Sequence, residues 1–496
     1  MTSIEDQSLL TVVPLPTVAG PLPPLGTAVA PEAWAEAGYV EREYLVSGVA
    51  DVHGPGDPGN QEPPTLSRAE IVPLGSVTRT DVPFTTRIVV RAPADPDRAN
   101  GVVVFEPIHN AGEIVPSWAV THRHHLQEGA AWIGVTVSTG AHVGIDGAPR
   151  GGVALLRVLD PERYGALHLE PGDAADWPLL APRDLEHDLE GKGLVDVLAD
   201  SPFNGGGDSA SFGALVEEIY RSYAHSPGVM AQLAALVRSG GASSPLAGYP
   251  VERLYGTGAS GTTVWWNAFL DGGHHARSKV FDGFVLYVAT PPRTRPDDAV
   301  LVSIQSEAEA ALAVAEGDST RADDHPRFRQ YEVAGTGHRL CGADSPWMGN
   351  EESGWATLAP SGSSSSGDGD LLPFDRVVYP LLHELWRRLD TWVDGGEPMP
   401  PSVHITRDPA AADGLARDAH GNAAGGLRTP WVDAPDAHYL ARSPGNPLRA
   451  ALRPFGAGRM RTLYGSEDGY RRRFRAAVEG LVAQGWVRPD EAGDFN

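Results

Sequence analysis

Cysteine is almost missing: Cys341 is the only one in 496 residues. No internal disulfide can form, and no thiol cluster exists to hold zinc or an iron-sulfur centre. Basic residues are scarce as well, 39 Lys and Arg against 64 Asp and Glu, giving a net charge of −25. That balance argues against a nucleic-acid backbone or an anionic membrane surface as partner. Lysine occurs only at Lys192 and Lys279. No run of about 18 apolar residues appears anywhere. The start, MTSIEDQSLLTVVPLP, has neither the basic region nor the long apolar stretch of a secretory signal. These absences predict a soluble, cytoplasmic protein. With 41% hydrophobic positions, the chain can bury a sizeable core.

Many of the 43 prolines and 58 glycines lie in the first sixty residues or so. This predicts an extended N-terminal arm of little regular structure, with the first strands following up to residue 84. From Thr85 the texture changes to short β-branched runs, TTRIVVRAP, GVVVFEP and AAWIGVTVS, with the helix-compatible SWAVTHRHHLQEG before the last. VERLYG, FDGFVLYVA, AVLVSIQS and RFRQYEVAG continue the series. Apolar strands alternating with helical segments predict an α/β fold, a mostly parallel sheet with helices on both faces, over residues 85–400. Residues 139–250, rich in Asp, Gly and Pro, read as an inserted cap carrying one amphipathic helix, SFGALVEEIYRSYAH. Residues 350–370 read as a loop. Residues 401–496 form a C-terminal region packed on the core, with turn signals such as DAHGNAAGG and a closing amphipathic helix.

The most informative segment is LYGTGASGTTVWWN (254–267), a strand, a glycine turn and a helix. One reading takes Gly256, Gly258 and Gly261 as the G-x-G-x-x-G of a dinucleotide-binding oxidoreductase. It requires an acidic residue at the end of the next strand, and FVLYVA instead runs into Thr290-Pro-Pro, with Asp282 at its beginning. The other reading is a nucleophile elbow, with Ser260 lifted above the sheet. A serine here can also simply cap the following helix, as can Thr262. The downstream order favours the elbow: Glu307 and Glu309 end one strand and His338 ends the next, the Ser, acid, His sequence of an α/β-hydrolase triad.

Seven segments in order carry a wider resemblance: VVVFEPIHNAG (102–112), DPERYGAL (160–167), the elbow, VFDGF (280–284), QSEAE (305–309), EVAGTGH (332–338) and HGNAAGGLRTPWVDAP (420–435). The chain resembles the bacterial α/β-hydrolase-domain proteins of about this length. The resemblance implies an α/β-hydrolase fold and, by default, hydrolysis of a carboxylic ester or lactone of a small molecule, with no metal or organic cofactor. Acyl transfer would use the same residues. Members of that family usually read G-x-S-Q-S-G at the elbow, whereas this chain has Gly258 in place of the first serine. Counted strictly from the strand end, that first serine is where the nucleophile is expected. The departure leaves two alternatives, Ser260 as nucleophile or a catalytically silent binding protein.

In the catalytic reading His338 takes the Ser260 proton and a carboxylate orients the imidazole, Glu309 by its place after the strand or Glu307 as substitute. Both glutamates also suit the start of a helix. The oxyanion needs N–H donors, expected from Gly261 and from the loop around Ile108, His109 and Asn110. Asn110 aligns with an asparagine of the family pattern. Of Trp265 and Trp266, one ring is expected under the sheet and the other lining the acyl pocket. His122, His124 and His125 read as a solvated helix face rather than a metal site, and His274 and His275 as surface. Cys341 is an alternative nucleophile in principle only.

Overall fold

The proline-rich start holds more regular structure than its composition suggests. The computed structural model describes residues 10–17, 31–56, 74–109, 112–140, 149, 151–176, 218–315, 321, 324–338, 372–373, 378–442 and 450–495. Thr11–Pro14 (β1), Tyr39–Pro55 (β2) and Leu74–Pro93 (β3) pair antiparallel. The expectation of an arm with little regular structure is corrected by β2, which is 17 residues long. Its Tyr and Val residues suit a pleated surface, and the prolines fall at or beyond the strand ends. Register shifts beyond Ala50 absorb the remaining irregularity.

The chain divides into two compact units, residues 1–286 with 291–299 and 350–360, and residues 287–290 with 300–349 and 361–496. In the first, Val102–Ile108 (β4), Ala131–Thr136 (β5), Arg253–Ala259 (β6) and Gly283–Tyr287 (β7) complete the order β1-β2-β3-β5-β4-β6-β7. The last residue of β7 opens the second unit. β4 pairs parallel with both β5 and β6. Every residue of β4 and β5 is buried, which is why these runs are nearly unbroken apolar sequence. Pro116–Glu128 (α1) joins β4 to β5 and stops at Gly129, whose φ of 83° serves as a left-handed cap. Gly152–Leu159 (α2), Ser226–Ser239 (α3) and Gly261–Asp271 (α4) follow.

Both ends of the stretch 139–250 are tied to the first unit. The Tyr164 hydroxyl donates to Glu43 at 2.8 Å, and the Gln232 side chain of α3 donates to Val49 O at 2.9 Å. The helix expected over 211–225 is described only at 218–222; residues 211–217 lie outside the described residues, as do 141–148 and 177–210 of the expected cap, the expected loop 350–370 and Cys341.

In the second unit Val300–Ser306 (β8), Phe328–Ala334 (β9) and Leu427–Arg428 (β11) run parallel in the order β8-β9-β11. Leu372–Pro373 (β10), Ala437–Leu440 (β12) and Ala451–Pro454 (β13) make a small antiparallel sheet. Glu307–Ala315 (α5) starts directly where β8 ends. Tyr379–Val393 (α6) buries Leu381, Leu382, Leu385, Trp386 and Leu389, and Trp386 Nε1 donates to the Tyr287 hydroxyl at 2.6 Å. Glu467–Ala483 (α7) is the amphipathic helix expected near the end of the chain. No helix among the described residues is long and apolar enough to cross a membrane.

Candidate active site

Strand β6 does not end at Gly256 but continues through Ala259, and Ser260 is the single residue between it and α4. Ser260 has φ 57° and ψ −123°, a conformation costly for any residue with a Cβ. The turn is held by bonds on either side. Thr262 Oγ1 accepts from Ala259 N at 2.8 Å and donates to Ala259 O at 2.9 Å. Thr263 Oγ1 donates to Gly258 O at 2.8 Å, and Trp266 Nε1 to Thr257 O at 2.7 Å. The Ser260 side chain makes no capping bond to α4, so the bland reading of a helix cap does not describe it. The first helical bond runs from Val264 N to Ser260 O. The Gly261 N–H therefore belongs to the helix turn without an intrahelical acceptor, at the positive end of the dipole.

The glycines of the turn are explained by packing. A Cβ on Gly256 would stand 2.7 Å from Phe284 and 2.9 Å from Trp266. A Cβ on Gly258 would stand 2.9 Å from both the Thr262 carbonyl carbon and Trp266. The strict count that puts a nucleophile at position 258 is thus corrected: the strand runs on, position 258 lies against the first turn of α4, and the turn residue is Ser260. The dinucleotide reading loses its remaining acid as well, because Asp282 is paired with Arg238 at 2.6 Å and accepts from Leu254 N at 2.8 Å.

Trp265 and Trp266 are both completely buried. Trp265 donates to Ser226 Oγ at 2.5 Å, and Trp266 packs edge-on against Phe269, Phe281 and Phe284. The expectation that one ring lines a substrate pocket is corrected, since both belong to the core beneath α4.

On the strand before, Ile108 is the buried last residue of β4, opposite Thr136 of β5. The His109 N–H donates to Ile114 O at 2.9 Å, which removes that amide from the expected oxyanion donors. Asn110 lies outside the described residues. Two carboxylates that sequence reasoning passed over shape this loop. Glu106 accepts from Ser117 N at 2.8 Å, Trp118 N at 3.0 Å and Trp132 Nε1 at 2.9 Å, so a strand residue caps α1. Burial pushes its carboxyl up to about 7, against the pull of these donors. Glu113, at φ 53°, accepts from Thr136 Oγ1 at 2.9 Å and Gly152 N at 2.7 Å. The available signal was an acid inside an otherwise apolar run, which must find donors when buried.

In the second unit His338 Nδ1 lies 2.7 Å from Glu309 Oε1. A carboxylate only accepts, so Nδ1–H is the donor of this bond. The other Glu309 oxygen accepts from Ser306 N at 3.0 Å and Ser306 Oγ at 2.5 Å. Burial alone pushes the Glu309 carboxyl up, but the His338 ring and the Ser306 donors outweigh it and hold the group below the ordinary carboxylate range. Glu307, equally buried, turns to different partners: Gly335 N at 2.9 Å and the Arg417 guanidinium. Of the two glutamates, Glu309 stands on the imidazole and Glu307 on the backbone of the histidine loop. Ser306 and Arg417 carried no sequence signal of these contacts.

Two readings of other histidines are corrected. His124 and His125 are buried rather than solvated; His125 Nε2 lies 3.1 Å from Thr121 Oγ1 and its ring stacks on Trp118. His274 and His275 are buried rather than surface groups: His274 is bonded to Leu74 O and edge-on to His53, and His275 lies 3.1 Å from Asp298. Among the described residues no group of three or more His, Cys, Asp or Glu side chains is placed to hold a metal ion.

No curated protein matches the sequence. Solved structures to which the chain is similar include a putative dienelactone hydrolase from Klebsiella pneumoniae, at 10% identity over 58% of this chain and 85% of that one, with a TM-score of 0.25. Others are a putative acetyl xylan esterase from Bacteroides fragilis (10%, 65% and 69%, TM-score 0.24) and esterase 2 of Thermogutta terrifontis (11%, 57% and 87%, TM-score 0.22). Likeness at this level adds no weight. The family model of the alpha/beta hydrolase domain, in contrast, matches residues 11–495. With nearly its whole length matched, the chain belongs to this alpha/beta hydrolase family.

Proposed function

We propose that the protein is a serine hydrolase that cleaves a carboxylic ester or lactone of a small molecule through an acyl-enzyme. Ser260 Oγ attacks the carbonyl carbon while its proton passes to His338 Nε2, and Glu309 steadies the imidazolium through Nδ1–H. The tetrahedral oxyanion is met by the Gly261 N–H, with a second amide supplied from the loop that follows β4. Collapse expels the alcohol, which takes the proton from His338. Water, deprotonated by the same imidazole, then releases the acid and restores the serine.

The observation that carries this reading is Ser260 itself. A serine held at φ 57° without a capping bond to the helix that follows is strained, and a nucleophile raised out of a strand-to-helix turn needs that conformation. The His338–Glu309 contact supports it, because a carboxylate that accepts from Nδ1–H orients the imidazole. A panel of short-chain and aromatic model esters together with lactones tests the proposal. Hydrolysis by the wild type that disappears in Ser260→Ala is the expected result. Hydrolysis retained in full by Ser260→Ala overturns it.

A further inference from the structure

The segment that carries His338 leaves β9 at Gly335 and is confined on both sides. On one side the Gly335 N–H donates to Glu307 at 2.9 Å. On the other, a Cβ at Gly335 would come within 2.4 Å of Val432, and one at Gly337 within 2.5 Å of Ala450 and 2.9 Å of Ala441 O. Thr336 closes the turn by donating to Val333 O at 2.6 Å. Glu307 is in turn held by Arg417, which also pairs with Asp413. Arg417 stands in a paired loop, bridged to Ala423. A chain of contacts therefore runs from the late part of the sequence to the imidazole: Arg417, Glu307, Gly335, His338.

We propose that Arg417 is a positioning residue for the base, acting through Glu307 to fix where His338 stands. Glu307 is a carboxylate almost wholly removed from water whose two oxygens serve one amide and one guanidinium. Without Arg417 it is a buried charge lacking its counterion, and the cheapest relief is to turn toward solvent and release Gly335. The loop then loses its anchor three residues before the histidine. The part of the chain beyond residue 400 thus contributes to catalysis without touching substrate. The proposal rests on the hydrolase reading for its consequence in rate, but not for its consequence in structure.

The test compares Arg417→Ala, Arg417→Lys and Glu307→Ala with Arg471→Ala, which breaks an exposed ion pair on α7. Two readouts are taken, steady-state kinetics on a model ester and the low-field proton resonance of His338 Nδ1–H bonded to Glu309, assigned by its loss in His338→Gln. Arg417→Ala is expected to lower kcat by about 10- to 100-fold with KM little changed, as a small displacement of a catalytic group does, and to abolish or shift the resonance. Arg417→Lys recovers most of both, and Arg471→Ala moves neither. A folded Arg417→Ala with the wild-type resonance overturns the proposal. Should Arg417→Ala fail to fold, Glu307→Ala decides: it removes the acceptor of the Gly335 N–H, and an unchanged resonance there overturns the proposal equally. A wild type without any ester hydrolysis would refute the functional reading, and the resonance would still decide the role of Arg417.

Discussion

His338 and Glu309, 29 residues apart, meet at 2.7 Å because β8 and β9 are parallel neighbours in register, with Ser306 opposite Val333, so that both strands release their chains at the same edge. Glu307 sits two residues earlier on the same helix and has other partners. Glu309→Gln is expected to lower kcat/KM by about three to four orders of magnitude, as the loss of the orienting carboxylate does in hydrolase triads. Glu307→Gln is expected to cost far less in rate and about 2 kcal/mol in stability, since it removes the buried charge opposite Arg417. Kinetics and urea denaturation of the two variants check this, and a reversed ranking in kcat/KM would move the role to Glu307.

The strain at Ser260 has its own signature. Ser260→Ala keeps a Cβ at φ 57° and is expected to fold like the wild type. Ser260→Gly, in which the constraint vanishes, is expected to exceed the alanine variant in stability by about 1 kcal/mol. Denaturant midpoints of the two decide the matter. Equal stability would mean that the turn stores no such strain.

Gly258→Ser restores the serine usual at this turn in the resembled family. Its Cβ meets backbone at 2.9 Å, so the variant is expected to lose about 1–3 kcal/mol and most activity rather than gain a nucleophile. Thermal unfolding and ester hydrolysis measure both, and wild-type stability would show that the turn has room to spare.

A pH dependence follows from the buried pair His53 and His274, edge-on at 4.5 Å. Burial lowers His53 from 6.5 to about 4, opposed by Asp51 and aided by Arg277 and His225, and also lowers His274 well below its ordinary value. Folded His53 is neutral where the unfolded chain binds a proton. Its contribution, on the order of 3 kcal/mol, is present above pH 6.5 and is lost as the pH falls toward 4. The Glu309 carboxylate, held below its usual range, adds a loss with the same sign at lower pH. Urea midpoints from pH 7.5 to 4.5 should fall less steeply in His53→Gln. An unchanged slope would remove His53 as the cause.

The sequence shows the parallel strands clearly, because a strand buried on both faces must be apolar throughout, as Val102–Ile108 is but for Glu106. It also shows the order Ser260, Glu309, His338, which follow β6, β8 and β9 as the proposed triad requires. It is silent on what depends on long-range partners. Arg417 and Glu307 are 110 positions apart, and no local pattern reveals that they pair. The buried histidines look exposed because short polar runs usually are, yet His274 finds a backbone carbonyl and His275 a carboxylate across the fold, and His125 a hydroxyl one turn away on its own helix. The tryptophans after the elbow are misjudged for a similar reason: proximity in sequence to Ser260 says nothing about which side of α4 they face.

The central claim is that Ser260 is the nucleophile. Incubation of the full-length protein with a fluorophosphonate, followed by proteolysis and mass spectrometry, reads it directly, because the probe reacts only with a serine activated by a neighbouring base. The account predicts a single adduct on the peptide containing Ser260, lost in Ser260→Ala and strongly slowed in His338→Gln. An adduct on another residue, or none on a folded wild type, would contradict it.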